Sequence, residues 1–178
     1  MGKYVRVISK CCIWGVDILK IFVTLGTQDK IFNRLLDDVS MYLIKSKSND
    51  EVIVQAGFTK YKNDKMKIYD LLDKDEFDKY IKDCDLLITH GGVGSILTGI
   101  KNNKKVIACP RLAKYKEHIN DHQVQIVEKF SQAGYILSYN DGDDLNKVIK
   151  ESKKFIPNKY VSNTDNMVNI IENFIDKE

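Results

Sequence analysis

The apolar residues of this chain fall into short unbroken runs, and the best-formed runs stop at glycine or proline. Ile21-Phe22-Val23-Thr24-Leu25 stops at Gly26-Thr27. Val52-Ile53-Val54-Gln55-Ala56 stops at Gly57. Leu86-Leu87-Ile88-Thr89 runs into Gly91-Gly92, and Val106-Ile107-Ala108-Cys109 ends at Pro110. A strand covered on both faces reads as continuously apolar rather than alternating. Between the runs the spacing changes to that of helices, as at Ile31, Leu35, Val39 and Leu43. Alternation of buried strands with amphipathic helices predicts an α/β chain: a single Rossmann-like domain, its parallel sheet covered by helices on both faces.

The pattern places strands at 20–25, 51–57, 67–72, 85–89, 105–110 and 135–137. Helices are expected over 31–44, 75–82 with Asp75 as cap, 95–101, 121–133 closed by Gly134, 145–155 and 163–175. A chain of 178 residues fits one such domain. We divide it into an extension at 1–19 and a domain at 20–178. The extension holds Cys11-Cys12-Ile13-Trp14-Gly15-Val16 after Lys3, Arg6 and Lys10. It imitates a signal peptide only loosely, because the apolar run is short and no small-residue cleavage site follows. It reads equally as a segment that packs on the domain or touches a membrane or partner, or as an extra strand or disordered leader. No run approaches the ~18 apolar residues of a membrane-spanning helix. The four cysteines lack metal-ligand spacing, which predicts reduced thiols and a cytosolic compartment. A net charge of +3, without a dense basic stripe, argues against a nucleic-acid partner.

In a doubly wound sheet, ligands bind outside the carboxyl ends of the strands. Thr89-His90-Gly91-Gly92-Val93-Gly94-Ser95 stands at such an end. Its glycines allow positive φ and close approach of a ligand, and a helix beginning at Gly94-Ser95 would aim free N–H groups at an anion. His90 and Ser95 add side-chain bonds to a phosphate or a sugar hydroxyl. No Gly-Lys-Ser/Thr follows, so this is no Walker loop. No acid ends the next strand, so it is a poor dinucleotide fingerprint. A second cluster, Glu117-His118-Ile119-Asn120-Asp121-His122-Gln123, gathers carboxylates, imidazoles and amides suited to a polyhydroxylated ligand. His118 and His122 are four apart. With Asp121 or Asn120 capping the helix they do not share a helical face, so no metal is expected.

These two motifs together resemble the C-terminal, donor-binding half of GT-B glycosyltransferases of family 28 type. The chain looks like the small, stand-alone subunits of two-part enzymes: the catalytic subunit of the transferase that adds the second GlcNAc to dolichol-diphosphate-GlcNAc, and its bacterial capsular and exopolysaccharide counterparts. The resemblance spans 20–175. It implies that Gly26 and Thr27, with His90, Gly92, Gly94 and Ser95, face the donor diphosphate. Gln55, Gly57 and Phe77 would lie near the nucleotide, the uracil being held largely by backbone near Asp75-Glu76-Phe77. Asn120, Asp121 and Gln123 would contact the donor sugar, and His90, Glu117 and His122 are the candidate catalytic groups. Many relatives carry a carboxylate for the ribose three residues after the serine. Here that position is Thr98.

The resemblance further implies a metal- and cofactor-independent UDP-sugar transferase, since helix dipole and loop donors stabilise the leaving diphosphate. A membrane-anchored partner subunit would bind the lipid-linked acceptor and hold the chain at the cytoplasmic membrane face. A non-catalytic accessory subunit is the alternative, which the missing carboxylate favours. An epimerase of the same architecture would need both halves in one chain, and a dehydrogenase would need the absent fingerprint.

Overall fold

The computed structural model describes residues 18–160. The expected helix at 163–175 and nearly all of the extension lie outside them. Six strands form one sheet: β1 (Lys20–Thr24), β2 (Glu51–Gln55), β3 (Met66–Tyr69), β4 (Leu86–His90), β5 (Lys105–Cys109) and β6 (Leu137–Ser138). Their order is β3-β2-β1-β4-β5-β6, and every pairing is parallel. Between them run α1 (Asn33–Lys45), α2 (Lys74–Asp83), α3 (Val93–Lys101), α4 (His122–Gln132) and α5 (Leu145–Lys154), with a short 3₁₀ turn at Ala113–Tyr115.

Alternate strand residues feed two cores, one on each face. Ile21, Val23 and Ile88 pack under α1 and α5 against Leu35, Leu36, Val39, Leu145 and Ile149. Phe22, Leu87, Val106 and Ala108 pack under α2, α3 and α4 against Ile81, Ile96, Ile100 and Val127. Each of the Val, Leu, Ile and Phe side chains among them contributes roughly 1.5–3 kcal/mol by leaving water. This double coverage is the physical reason the strands are apolar without alternation.

Several element starts differ from the sequence reading. Helix α1 starts at Asn33, where the N–H of Phe32 donates to the buried Thr59 hydroxyl at 3.0 Å. Asp73, not Asp75, caps α2, accepting from the Glu76 N–H at 2.8 Å. Helix α3 begins at Val93, so Gly94 and Ser95 lie inside its first turn. Gly134 does close α4, with φ of +71°.

Strands β1 and β4 are neighbours, with Thr24 opposite Thr89. The chain leaves β1 toward the α1 face and β4 toward the α3 face. Their carboxyl ends therefore open a crevice at the switch point of the sheet.

Candidate functional site

At that crevice the His90 imidazole occupies the gap between two backbones. A Cβ on Gly26 would stand 2.5 Å from His90 Cε1, and one on Gly92 would overlap His90 Nε2. Gly26 also has φ of +75°, a left-handed conformation that disfavours side chains. Gly92 has an ordinary φ of −78°. None of Gly91, Gly92 and Gly94 is among the positive-φ glycines, so the expectation that they supply positive φ is corrected. Gly92 is required for room beside His90, and Gly91 packs on α4 near Gln123 and Val127. A Cβ on Gly94 meets nothing within 4 Å, so this residue faces open space at the helix start.

The first intrahelical bond of α3 runs from the Ile96 N–H to the Gly92 carbonyl at 3.1 Å. The N–H groups of Val93, Gly94 and Ser95 are thus left at the positive end of the helix. No acidic residue lies in that first turn. Burial, and then the charge of Arg111, pushes the His90 pKa down to about 4. The ring is therefore neutral at pH 7, with one donor and one acceptor nitrogen.

The loop after β1 completes this face. Thr27 is exposed on it, and the Gly26 N–H makes only a long bond, 3.3 Å, to the Thr24 hydroxyl. Gly57 lies against it, since a Cβ there would stand 2.6 Å from the Gly26 carbonyl oxygen. The structure thus brings Gly26, Thr27, Gly57, His90, Gly92, Gly94 and Ser95 to one edge.

Other candidates are committed to the protein itself. Gln55 is buried, and its side-chain oxygen accepts from the Leu72 N–H at 3.3 Å. The Phe77 ring packs edge-on against Phe22 at 5.3 Å, and its N–H donates to the Asp73 carbonyl inside α2. The Thr98 hydroxyl donates back to the Gly94 carbonyl at 2.8 Å. The Gln55 oxygen, the Phe77 ring and the Thr98 hydroxyl are thus each engaged within the protein.

Glu117 departs furthest from expectation. It is 4% exposed, and both carboxylate oxygens pair with Arg34 in α1, at 3.0 and 2.9 Å. The Leu112 N–H adds a third bond at 3.0 Å. A carboxylate so buried and held by an ion pair is poorly placed to take a proton from a bound hydroxyl, and it acts as a strut between α1 and the β5–α4 loop. Burial opposes the charge of Arg34, but Glu117 and Cys109 together outweigh it and hold that guanidinium above its usual range.

Gln123 is also buried, with its side-chain oxygen accepting from the Arg111 N–H at 3.0 Å. Asp121 precedes α4 without capping it. Its carboxylate accepts from the Ala113 N–H at 2.9 Å, and the Asn120 side chain accepts from the His122 N–H at 3.3 Å. Asp121 and His122 are exposed at the start of α4, whereas the His118 ring bonds the Asn120 backbone at 3.0 Å. Among the described residues no group of three or more His, Cys, Asp or Glu is placed to hold a metal.

Two arginines escaped the sequence reading. Arg34 pairs with Glu117 across 83 positions, which no local pattern reveals. Arg111 is 1% exposed behind the Leu25–Gly26 backbone. Its one sequence signal is an arginine directly after a buried strand and Pro110. A groove of about 760 Å³ opens beside them, lined by Asp29, Lys30, Asn33, Arg34, Tyr115 and Lys116.

Residues 20–177 match the glycosyltransferase family 28 C-terminal domain, which is nearly the whole chain. The chain belongs to this family. Within it, the UDP-N-acetylglucosamine transferase subunit ALG13 of Candida albicans is 29% identical over 110 residues, covering 62% of this chain and 32% of that protein. The subunit of the same name from Saccharomyces cerevisiae is 35% identical over 77 residues, covering 43% and 36%. The matched region thus spans about a third of the length of these curated relatives. Among solved structures, an NMR structure of ALG13 superposes with a TM-score of 0.55 at 21% identity, covering 86% of this chain and 95% of that one. MurG of Acinetobacter baumannii superposes at 0.55 with 14% identity, covering 77% and 42%. The family 28 chain thus shares the fold of GT-B enzymes. Its Rossmann-like sheet agrees with the sequence expectation.

Proposed function

We propose that this family 28 domain binds the diphosphate of a UDP-sugar and stabilises it as leaving group, as the donor half of a two-part glycosyltransferase. The observation that carries this reading is the crevice between β1 and β4. There the open first turn of α3, the Gly26 loop and a neutral His90 converge with no carboxylate in the helix start. Free N–H groups and the helix dipole suit the charge that develops on the departing diphosphate. These groups need no metal to do so. His90 can bond a phosphate oxygen or a sugar hydroxyl, and exposed Asp121 and His122 border the same edge of the sheet.

Glu117 is unavailable as base, so deprotonation of the acceptor falls to an exposed group or to a partner. The reading assigns the acceptor side to a separate membrane-anchored subunit, which would hold this chain at the cytoplasmic face beside a lipid-linked saccharide. The relatives named as transferase subunits support a divided enzyme. Within it, a purely accessory role is favoured by one observation: Thr98 occupies the ribose position and spends its hydroxyl on Gly94.

Titration with UDP, followed by calorimetry and by amide NMR, tests the donor site. Shifts centred on Gly26, His90 and Val93–Ser95 are expected, and they should vanish in His90→Ala. Absence of UDP binding, with and without the partner subunit, would sink the donor reading in favour of the accessory one.

A further inference from the structure

Arg111 is the most deeply buried cation of the described chain, at 1% exposure. Its guanidinium donates only to neutral carbonyls: Leu25 at 2.8 Å, Lys30 at 2.8 Å and Glu117 at 3.3 Å. The Glu117 carboxylate does not answer it, being taken by Arg34 and the Leu112 N–H. Phe32 lies beneath both guanidiniums, at 4.8 Å from Arg111 and 5.2 Å from Arg34. Among the described residues Arg111 thus has no carboxylate within ion-pair distance, and only the more distant charges of Glu117 and Asp29 act on it. Arg111 Nε is, among the described residues, the sole buried side-chain nitrogen or oxygen without a hydrogen-bond partner.

A buried charge of this kind is costly unless something offsets it. Its position shows where an offsetting anion would be felt. The Leu25 carbonyl that accepts from Arg111 belongs to the same peptide unit as the Gly26 N–H, whose bond to the Thr24 hydroxyl is long, 3.3 Å, and the Gly26 Cα faces the His90 ring. A hydrogen bond at one end of a peptide unit polarises it and strengthens the donor at the other.

We propose that Arg111 is the electrostatic positioning residue of the diphosphate site, supplying its positive charge through the Leu25–Gly26 peptide without touching the ligand. This rests on the donor-site reading. The lowered pKa of His90, to which the Arg111 charge contributes after burial, is consistent with that charge reaching the crevice. A guanidinium that served only as a strut between the β1–α1 and β5–α4 loops would act on uridine and phosphate recognition alike. A charge acts on the phosphates alone.

The test measures UDP, uridine and inorganic pyrophosphate binding by NMR titration of the full chain, for wild type, Arg111→Gln and Arg111→Lys. In Arg111→Gln, UDP and pyrophosphate affinity should fall on the order of tenfold, with uridine affinity unchanged. Arg111→Lys keeps the charge and should hold UDP within about threefold of wild type. Equal losses for UDP and uridine, or an Arg111→Lys loss as large as that of Arg111→Gln, would overturn the proposal. If Arg111→Gln does not fold, Arg111→Lys decides alone: a tenfold loss of UDP overturns it and retention supports it. Wild-type binding of pyrophosphate without uridine or UDP would refute the nucleotide reading. The Arg111 arm then stands or falls on pyrophosphate. Absence of all three ligands overturns both.

Discussion

Acidification should cost this protein stability through His90, and the size of the cost follows from its burial. The pKa of the ring is lowered from 6.5 to about 4 in the folded chain. The unfolded chain therefore binds a proton in the window between these values while the folded one does not. Stability contributed by the neutral ring is full above pH 6.5 and is lost as pH falls toward 4. Integrating that difference from pH 7 to pH 5 gives a loss of about 2 kcal/mol from this one residue. Urea unfolding of wild type and His90→Asn at pH 7, 6 and 5 isolates it, because other titrating groups are common to both proteins. The wild type should lose about 2 kcal/mol more than the variant over this range. Its His90 Cε1 proton should also titrate far below pH 6 by NMR. Parallel losses in the two proteins, or a midpoint above pH 6, would refute the reasoning that burial and Arg111 hold the ring neutral.

Removing the Glu117 carboxylate in Glu117→Ala leaves Arg34 and the Leu112 N–H without their acceptor, and urea unfolding should show a loss of about 3 kcal/mol. A loss under half that size would mean water repairs the site. Gly92→Ala places a methyl group onto His90 Nε2, so the ring must leave the crevice. UDP binding should drop below detection while far-UV circular dichroism stays unchanged, and undiminished binding would remove His90 from the site. Asp73→Ala deletes the α2 cap and should cost about 1 kcal/mol without changing UDP affinity. The same substitution at Asp75 should cost less, because Asp75 does not cap.

The fold was legible because its cause is local. Strands buried on both faces must be continuously apolar, and β1, β2, β4 and β5 announce themselves as such runs ended by Gly26, Gly57, Gly91 and Pro110. The glycine loop was legible too, since strand–glycine–helix at a carboxyl end is a contiguous pattern. The weaker elements drifted. β6 has two residues and lies at 137–138, not 135–137, because an edge strand so short carries little hydrophobic signal. Helix starts moved where a distant contact holds the chain just before the helix, as the Thr59 hydroxyl holds the Phe32 N–H before α1.

Within the candidate site, the split falls between backbone and side chains. The chain order alone determined that Gly26, His90, Gly92 and Gly94 would meet at one edge of a parallel sheet, because the topology leaves them no other place. Which polar side chains remain free there was decided only by tertiary structure. Glu117, Gln55, Gln123 and Thr98 are as polar in the sequence as His122 or Asp121, yet each commits a side-chain oxygen to a partner within the protein, and three of those partners are distant in the chain. Arg111 shows the converse: its charge is plain in the sequence, but that it is left without an anion depends on Arg34 having already taken Glu117. A hydrogen-bond competition among residues 83 positions apart has no local signature.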